Sequence, residues 1–252
     1  MKIFSSILLS ISLFFTIVVL PQTAQPKEKT WVAPTSPVFS DAERQAELSR
    51  RRRAVLDAMK DDSVMVLWSA EPKIYSNDVD FMFRQENNLY YLTALKQENA
   101  TLILFKKGGV SGEAVFIPKR NPQRETWNGR MYSIEDVVRL SGIKTVVDAA
   151  ELSGLLKALK SRSGFSSTSG FSLPPAFTNL YSLLPRNTRD ENGTREFRRE
   201  AEFAGTLQGY EIQNGQAIFA KLRQIKSLYE LRLLQHAIDI SAEAHMRAMS
   251  NI

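Results

Sequence analysis

Short apolar runs separated by turn signals constrain the fold of this 252-residue chain more than any other feature. Ser63–Ser69 is continuously apolar, which is typical of a strand covered on both faces. Ala100–Phe105 and Glu113–Ile117 flank the turn residues Gly108-Gly109 and predict an antiparallel hairpin. Tyr90–Thr93 is interpreted as another strand beside them. Together these runs predict one largely buried sheet.

Helical patterns fall before, between and after these runs. Ser40 and Glu43 form a capping box, and Leu48 and Val55 follow at helical spacing, so a helix is predicted there. This spacing places Arg50–Arg53 largely on the solvent side of the helix. Further helices are predicted over 133–142, 151–160 and 195–223, with a strand at 145–147. The alternation predicts an α/β fold with a mixed β-sheet flanked by helices.

The first residues have the pattern of a secretory signal. Residues 1–24 carry one charge, at Lys2, followed by an apolar run and a small-residue end at Thr23-Ala24. The run could alternatively stay uncleaved as an anchor, the one membrane contact that the sequence suggests. Because the chain has no cysteine, disulfides are excluded. We therefore expect an exported protein, periplasmic or extracellular, with a flexible leader over 25–39.

The charge pattern does not favour nucleic-acid binding. The chain has 33 basic and 27 acidic residues, a mild excess that is usual for a solvated surface. Arginines cluster at Arg50–Arg53 and between Arg186 and Arg199, but aromatic side chains are not interleaved with them. No nucleic-acid partner is therefore expected.

No catalytic or metal-ligating residue can be assigned from the sequence. His236 and His245 are nine residues apart on one predicted helix, so they point about 180° apart and cannot bind one metal together. The serines of Ser166–Ser172 lack the Gly-x-Ser-x-Gly pattern of a serine hydrolase. Acidic pairs such as Asp61-Asp62 lie in turn-like stretches and are interpreted as solvated loop charges.

Two side chains stand out from their surroundings. Trp127 follows the charged stretch Lys119–Thr126, which is predicted to be an exposed loop, where a large aromatic side chain is unusual unless something covers it. A packing lid and a contact surface for a partner both remain open. Arg84 lies among apolar neighbours, so we expect its guanidinium to be paired inside the domain.

Three segments carry a family resemblance. They are Phe83–Thr93, Trp127–Arg130 and Leu222–Ser227, the last leading into a helix with a second capping box at Ser227 and Glu230. In this order they resemble the N-terminal domain of the Xaa-Pro aminopeptidase (aminopeptidase P), prolidase and creatinase metallopeptidase family. The sequence departs from the family pattern at Ala94, where Gly is usual, and at residues 86–88.

The resemblance implies the division of the chain and its role. Residues 40–222 would form the aminopeptidase P N-terminal domain, and 223–252 the junction and first helix of a truncated pita-bread catalytic domain. The complete protein would be a metallo-aminopeptidase that releases an N-terminal residue preceding proline. Its dinuclear metal site, two Mn²⁺ ions in the family, would have its ligands beyond Ile252, so this chain alone is predicted to be inactive.

The resemblance also implies partners. Proline-containing peptides would be the substrates, and a homo-oligomer would bring Trp127 and Arg130 near the substrate of a neighbouring subunit. These two residues are the substrate-proximal candidates. A stand-alone secreted binding or assembly module, with Trp127 on a protein partner, is the alternative from another class. An Xaa-Pro dipeptidase (prolidase) relative is a further alternative.

Overall fold

The computed structural model describes residues 32–77, 79–185 and 197–250. The predicted signal segment 1–24 and part of the predicted leader lie outside these residues. The helices are α1 Asp41–Ala58, α2 Asn87–Thr93, α3 Pro122–Asn128, α4 Ile134–Ser141, α5 Leu152–Lys160, α6 Arg198–Gly205, α7 Gln216–Gln224 and α8 Leu228–Ser250. The strands are β1 Ser63–Trp68, β2 Ile74–Ser76, β3 Val79–Asp80, β4 Thr101–Lys107, β5 Val110–Ile117, β6 Val146–Asp148, β7 Phe165–Ser166, β8 Ser172–Leu173, β9 Asn179–Ser182 and β10 Glu211–Asn214.

A six-stranded sheet in the order β10-β9-β1-β4-β5-β6 organises the domain. β4 pairs antiparallel with β1 and β5, whereas the pairs β1–β9, β9–β10 and β5–β6 are parallel. The predicted hairpin is confirmed, and Gly108 and Gly109 turn it with φ of +57° and +79°. The prediction of a mixed sheet flanked by helices is confirmed.

The sheet is covered on both faces because its strands send alternate side chains into two cores. From β1, Met65 and Leu67 enter the core under α1, α2, α4 and α7. Val64, Val66 and Trp68 enter the other core, beneath α5 and α6. All six β1 residues are buried, as the continuous apolar run predicted.

The prediction of a strand at Tyr90–Thr93 is wrong, because this segment lies in helix α2. Glu86 caps the helix, and its Oε2 accepts hydrogen bonds from the backbone N–H groups of Asn88 (2.8 Å) and Leu89 (2.7 Å). Leu89 and Leu92 are fully buried at helical spacing. The cap and this spacing override the strand preference of the tyrosines.

Helix α2 ends at Ala94, which has a left-handed backbone with φ of +57°. A Cβ is strained in this region, where glycine is not. We therefore expect Ala94→Gly to raise the free energy of unfolding by about 0.5–1 kcal/mol, because relief of strain exceeds the added entropy of the unfolded chain. Urea denaturation measures this. Ala46→Gly, at an exposed position inside α1, should instead lower stability by about 0.5–1 kcal/mol. Destabilisation by both changes would contradict the strain argument.

The predicted long helix over 195–223 is also wrong. The described part of this range forms α6, strand β10 and α7. Gly209 turns the chain with φ of +73° after α6, and β10 then extends the sheet by pairing parallel to β9. The pairing of β10 with the edge strand β9 therefore outweighed the helical propensity of this segment.

The prediction that Arg50–Arg53 lie largely on a solvent face is wrong for two of the four. The capping box at Ser40 and Glu43 is confirmed at the start of α1. Arg51 and Arg52, however, are 7% and 1% exposed and bind groups from other elements. A buried guanidinium requires several acceptors, and the folded domain supplies them.

Arg51 belongs to a cluster that fixes the start of α8 against α1. Its Nε donates to Glu47 Oε1 (2.9 Å), and its guanidinium stacks on the Tyr91 ring. Ser227 Oγ also donates to Glu47 Oε1 (2.8 Å). The capping box of Ser227 with Glu230 is confirmed, and the Glu230 carboxylate lies 3.7 Å from Arg51.

The described residues contain no helix long and apolar enough to cross a bilayer.

Glu47 should make stability sensitive to acid. Burial raises the pKa of Glu47, but hydrogen bonds from Arg50 and Ser227 and the charge of Arg51 outweigh it and lower that pKa from 4.5 to about 2. The stabilisation is therefore present above pH 4.5 and is lost as the pH falls towards 2. Urea denaturation of Glu47→Gln should show a smaller loss of stability over this range than the unsubstituted chain. Parallel pH profiles would contradict the assignment.

Candidate functional site

Two of the three family-like segments meet at one edge of the domain through Gln85 and Gln97. Gln85 Nε2 donates to the carbonyl oxygen of Gln97 (2.9 Å), and Gln85 Oε1 accepts from the backbone N–H of Ala70 (3.0 Å). Gln97 Oε1 in turn accepts from the backbone N–H of Tyr132 (3.0 Å). Both glutamines are buried, so these bonds are shielded from water. The segment around Gln85 is thus tied to the chain that follows Arg130.

Helix α3, which carries Trp127, is held in place by contacts at both of its ends. Asn121 caps the helix, with its Oδ1 accepting from the Gln123 backbone N–H at 3.0 Å. Glu125 accepts two hydrogen bonds from Arg120, at 2.7 and 2.8 Å, and a third from the Met131 backbone N–H at 3.2 Å. These contacts fix both ends of α3 independently of Trp127.

Trp127 is 88% exposed. The predicted exposure is confirmed, although the segment is a short helix and not an irregular loop. The packing-lid interpretation is wrong, because no described residue covers the indole. A rigid helix therefore presents a large aromatic surface to solvent or to a partner, where such a side chain can contribute strongly to binding.

Arg130 follows Trp127 after a reversal at Gly129, which has φ of +82°. Its Nη2 donates to Asp136 Oδ2 at 2.7 Å. Asp136 belongs to the capping box of α4, and the backbone N–H of Ser133, followed by the charge of Arg130, lowers the pKa of Asp136. The guanidinium of Arg130 is mostly exposed but is oriented by this pair. Trp127 therefore lies in the last turn of α3, and Arg130 follows the helix three residues later.

A depression of about 90 Å³ is lined by Arg130 and by the two residues before it, Asn128 and Gly129. Phe83, Pro118 and Met131 supply its apolar part, and Met131 is buried. Lys96 and Arg124 line it together with Arg130. Lys96 and Arg124 were missed by sequence reasoning, since each is an ordinary surface cation until the fold brings their segments together.

The expectation for Arg84 is wrong. Its side chain is exposed and forms no ion pair with a described residue. The reason is that its apolar neighbours Phe81 and Met82 are themselves exposed, by 55% and 95%, so the guanidinium reaches water without burial. Phe81 packs edge-on against Tyr75 of the β2–β3 hairpin at a ring distance of 5.0 Å.

The described residues do not offer ligands for the two-ion centre that the resemblance implies. Within 32–77, 79–185 and 197–250, no group of three or more His, Asp or Glu side chains could hold a metal ion. His236 Nε2 lies 3.2 Å from Ser36 Oγ, whereas His245 is exposed further along α8. No catalytic step is therefore assigned to a metal in this part of the chain.

Comparison with known proteins matches this geometry to one family. A family model described as "Aminopeptidase P, N-terminal domain" matches residues 48–166. A Haemophilus influenzae Xaa-Pro aminopeptidase is 29% identical over 204 residues, which cover 81% of this chain and 42% of that protein. The intermediate cleaving peptidase 55 of Schizosaccharomyces pombe is 27% identical, covering 81% of this chain and 40% of that protein.

Solved structures show the same fold. Escherichia coli aminopeptidase P, in its low-pH form, superposes with a TM-score of 0.64 at 21% identity, over 84% of this chain and 45% of that one. The chain spans less than half the length of the curated relatives it matches. The three diagnostic segments, the fold and these matches agree: residues 48–166 match the aminopeptidase P N-terminal domain, and the chain is similar to the N-terminal part of aminopeptidase P family members.

Proposed function

We propose that this chain is the N-terminal, non-catalytic part of an exported Xaa-Pro aminopeptidase, whose full-length form releases an N-terminal residue preceding proline. The observation that carries the proposal is the match to an Xaa-Pro aminopeptidase over 81% of this chain but only 42% of that relative. The bond before proline is a tertiary amide without an N–H, which calls for a dedicated peptidase.

The remaining length would supply the chemistry. When bound there, two metal ions, manganese in the proposal, would lower the pKa of a bound water and stabilise negative charge on the attacked carbonyl. The division at residue 222, the cleavage of residues 1–24 and export remain predictions.

Helix α8 supports a continuation of the protein beyond the described domain. Leu231, Leu234 and Ile238 recur along one side of it and are 48%, 44% and 59% exposed. The Glu47–Ser227 contact fixes the start of α8, so its direction is set by the domain. An apolar helix side of this kind is covered by further protein in a stable fold.

Trp127 and Arg130 are proposed to approach the substrate of a neighbouring subunit in a homo-oligomer. The support is that α3 is anchored by its own ion pairs and still exposes the indole almost fully. An aromatic side chain held in this way loses little entropy when it contacts a bound peptide.

The second candidate function is a stand-alone secreted binding or assembly module. The β2–β3 hairpin and the residues after it favour this function, because Ile74, Tyr75 and Met82 are 69%, 67% and 95% exposed. Such a patch is typical of a protein contact. A prolidase-like dipeptidase activity of the full-length protein is a variant of the main proposal.

Hydrolysis assays separate these proposals. The 252-residue chain and the full-length gene product are each incubated with Mn²⁺ and Ala-Pro-Ala, with Ala-Ala-Ala as the matched control. We expect cleavage before proline by the full-length product only. Cleavage by the 252-residue chain would overturn its assignment as non-catalytic. Inactivity of the full-length product on both peptides would favour the binding module.

A further inference from the structure

We propose that the depression lined by Lys96, Asn128 and Arg130 binds the free C-terminal carboxylate of a short peptide, with Lys96 as its counter-ion. The inference rests on the proposed function for the peptide class and adds which end of the peptide this domain contacts. It concerns Lys96 and the depression, neither of which was singled out from the sequence.

The size of the depression favours a small group. The depression has a volume of about 90 Å³. That is room for a carboxylate and part of one side chain, and far less than the pocket of a drug-sized ligand. The apolar surface of Phe83 and Pro118 fits the aliphatic part of a terminal residue.

The charges favour an anion. Lys96, Arg124 and Arg130 line the depression with a single carboxylate, Glu98. Glu98 lies 3.6 Å from Arg124, and Arg130 is paired with Asp136.

Of the three cations that line the depression, Lys96 is therefore the one without a carboxylate partner among the described residues. Among the described residues it has no carboxylate at ion-pair distance, and its nearest aromatic partner is the Tyr90 ring at 5.9 Å. It can form a charge-assisted hydrogen bond to a carboxylate without giving up an existing ion pair.

Uncommitted amide groups complete the site. Asn99 and Asn128 line the depression, and neither side chain forms a hydrogen bond with a described residue. Asn99 has a left-handed backbone with φ of +56°. Together with Lys96 these side chains can satisfy the two oxygens of a carboxylate.

The test uses the 252-residue chain and needs no hydrolysis. Ala-Pro-Ala and its C-terminal amide are titrated while the backbone N–H resonances of Lys96, Asn128 and Gly129 are followed by NMR. We expect saturable shifts with the free acid and at least about fivefold weaker binding of the amide, since a charged contact is lost. Equal binding of the two peptides, or no saturable shift, would overturn the proposal.

Matched variants test whether Lys96 is the cation that binds the peptide carboxylate. Lys96→Gln should weaken the free acid by about fivefold and leave the amide unchanged. Lys160→Gln, at another exposed lysine at the end of α5, should change neither. If Lys96→Gln binds the free acid as tightly as the unsubstituted chain, Lys96 is not the counter-ion. Because the readout is binding, a carboxylate-dependent result stands even if the full-length product fails to cleave before proline.

Discussion

Replacing Arg52 by leucine is expected to lower the free energy of unfolding by about 3–5 kcal/mol, although leucine suits a buried site by polarity. Arg52 Nε and Nη2 donate to the Glu113 carboxylate at 2.7 and 3.2 Å. Its Nη1 donates to the carbonyl oxygens of Leu92 (2.9 Å) and Ser141 (3.0 Å). The substitution leaves all of these acceptors without their donor.

The position of these acceptors explains the size of the effect. Leu92 and Ser141 lie in the last turns of α2 and α4, where carbonyl groups lack helical partners, and Glu113 lies on β5. One guanidinium from α1 therefore joins two helix ends to the sheet. Urea denaturation of the purified variant measures the loss.

Three further variants test whether the loss of stability comes from the contacts of Arg52. Arg53→Leu, at the exposed neighbouring position, should stay within about 0.5 kcal/mol. Arg52→Lys should fall between the two, because an ammonium cannot reproduce the planar fork. Arg52→Leu combined with Glu113→Leu should recover part of the loss, since the unpaired carboxylate is gone. A stability of Arg52→Leu equal to that of Arg53→Leu would refute the assignment.

Trp127→Ala is expected to lower activity while leaving stability nearly unchanged. Because the indole is 88% exposed, the free energy of unfolding should change by no more than about 0.5 kcal/mol. In the full-length gene product, kcat/KM for cleavage before proline should fall by about tenfold to hundredfold, which is typical of losing an aromatic contact at a binding hot spot. Steady-state assays with Ala-Pro-Ala measure this.

The control is Trp127→Phe, which keeps a ring and should retain most of the activity. Tyr75→Ala, which removes another exposed aromatic side chain on the β2–β3 hairpin, should leave kcat/KM unchanged if Trp127 alone approaches the substrate. Full activity of Trp127→Ala would remove Trp127 from the substrate-proximal candidates.

Local sequence patterns predicted the elements that depend on local physics. The predicted capping boxes at Ser40 and Ser227 are present, because a side chain and a backbone group three residues apart decide them. The helix predicted to begin at Ser133 is present for the same reason. The hairpin around Gly108-Gly109 was predicted for the same reason. The family resemblance, carried by short segments in order, was also visible without a structure.

Predictions failed where a distant partner decided the outcome. Tyr90–Thr93 reads as a strand by side-chain preference, yet the packing of Leu89 and Leu92 into the core favours a helix. The range 195–223 reads as one helix, but the free edge of β9 takes a strand from its middle. In both cases tertiary packing outweighed a preference worth less than about 1 kcal/mol per residue.

By itself the sequence showed the resemblance to the aminopeptidase P N-terminal domain and the mixed α/β character, since these follow from motifs and periodicity, whereas the substrate-proximal role of Trp127 and Arg130 follows from the resemblance and stays a prediction. Only the tertiary structure decided that Arg51 and Arg52 are buried, that no described residue covers Trp127, and that Lys96 and Arg130 line the same depression. The physical reason is that burial and electrostatic pairing depend on groups far apart in the chain, which a local pattern does not specify.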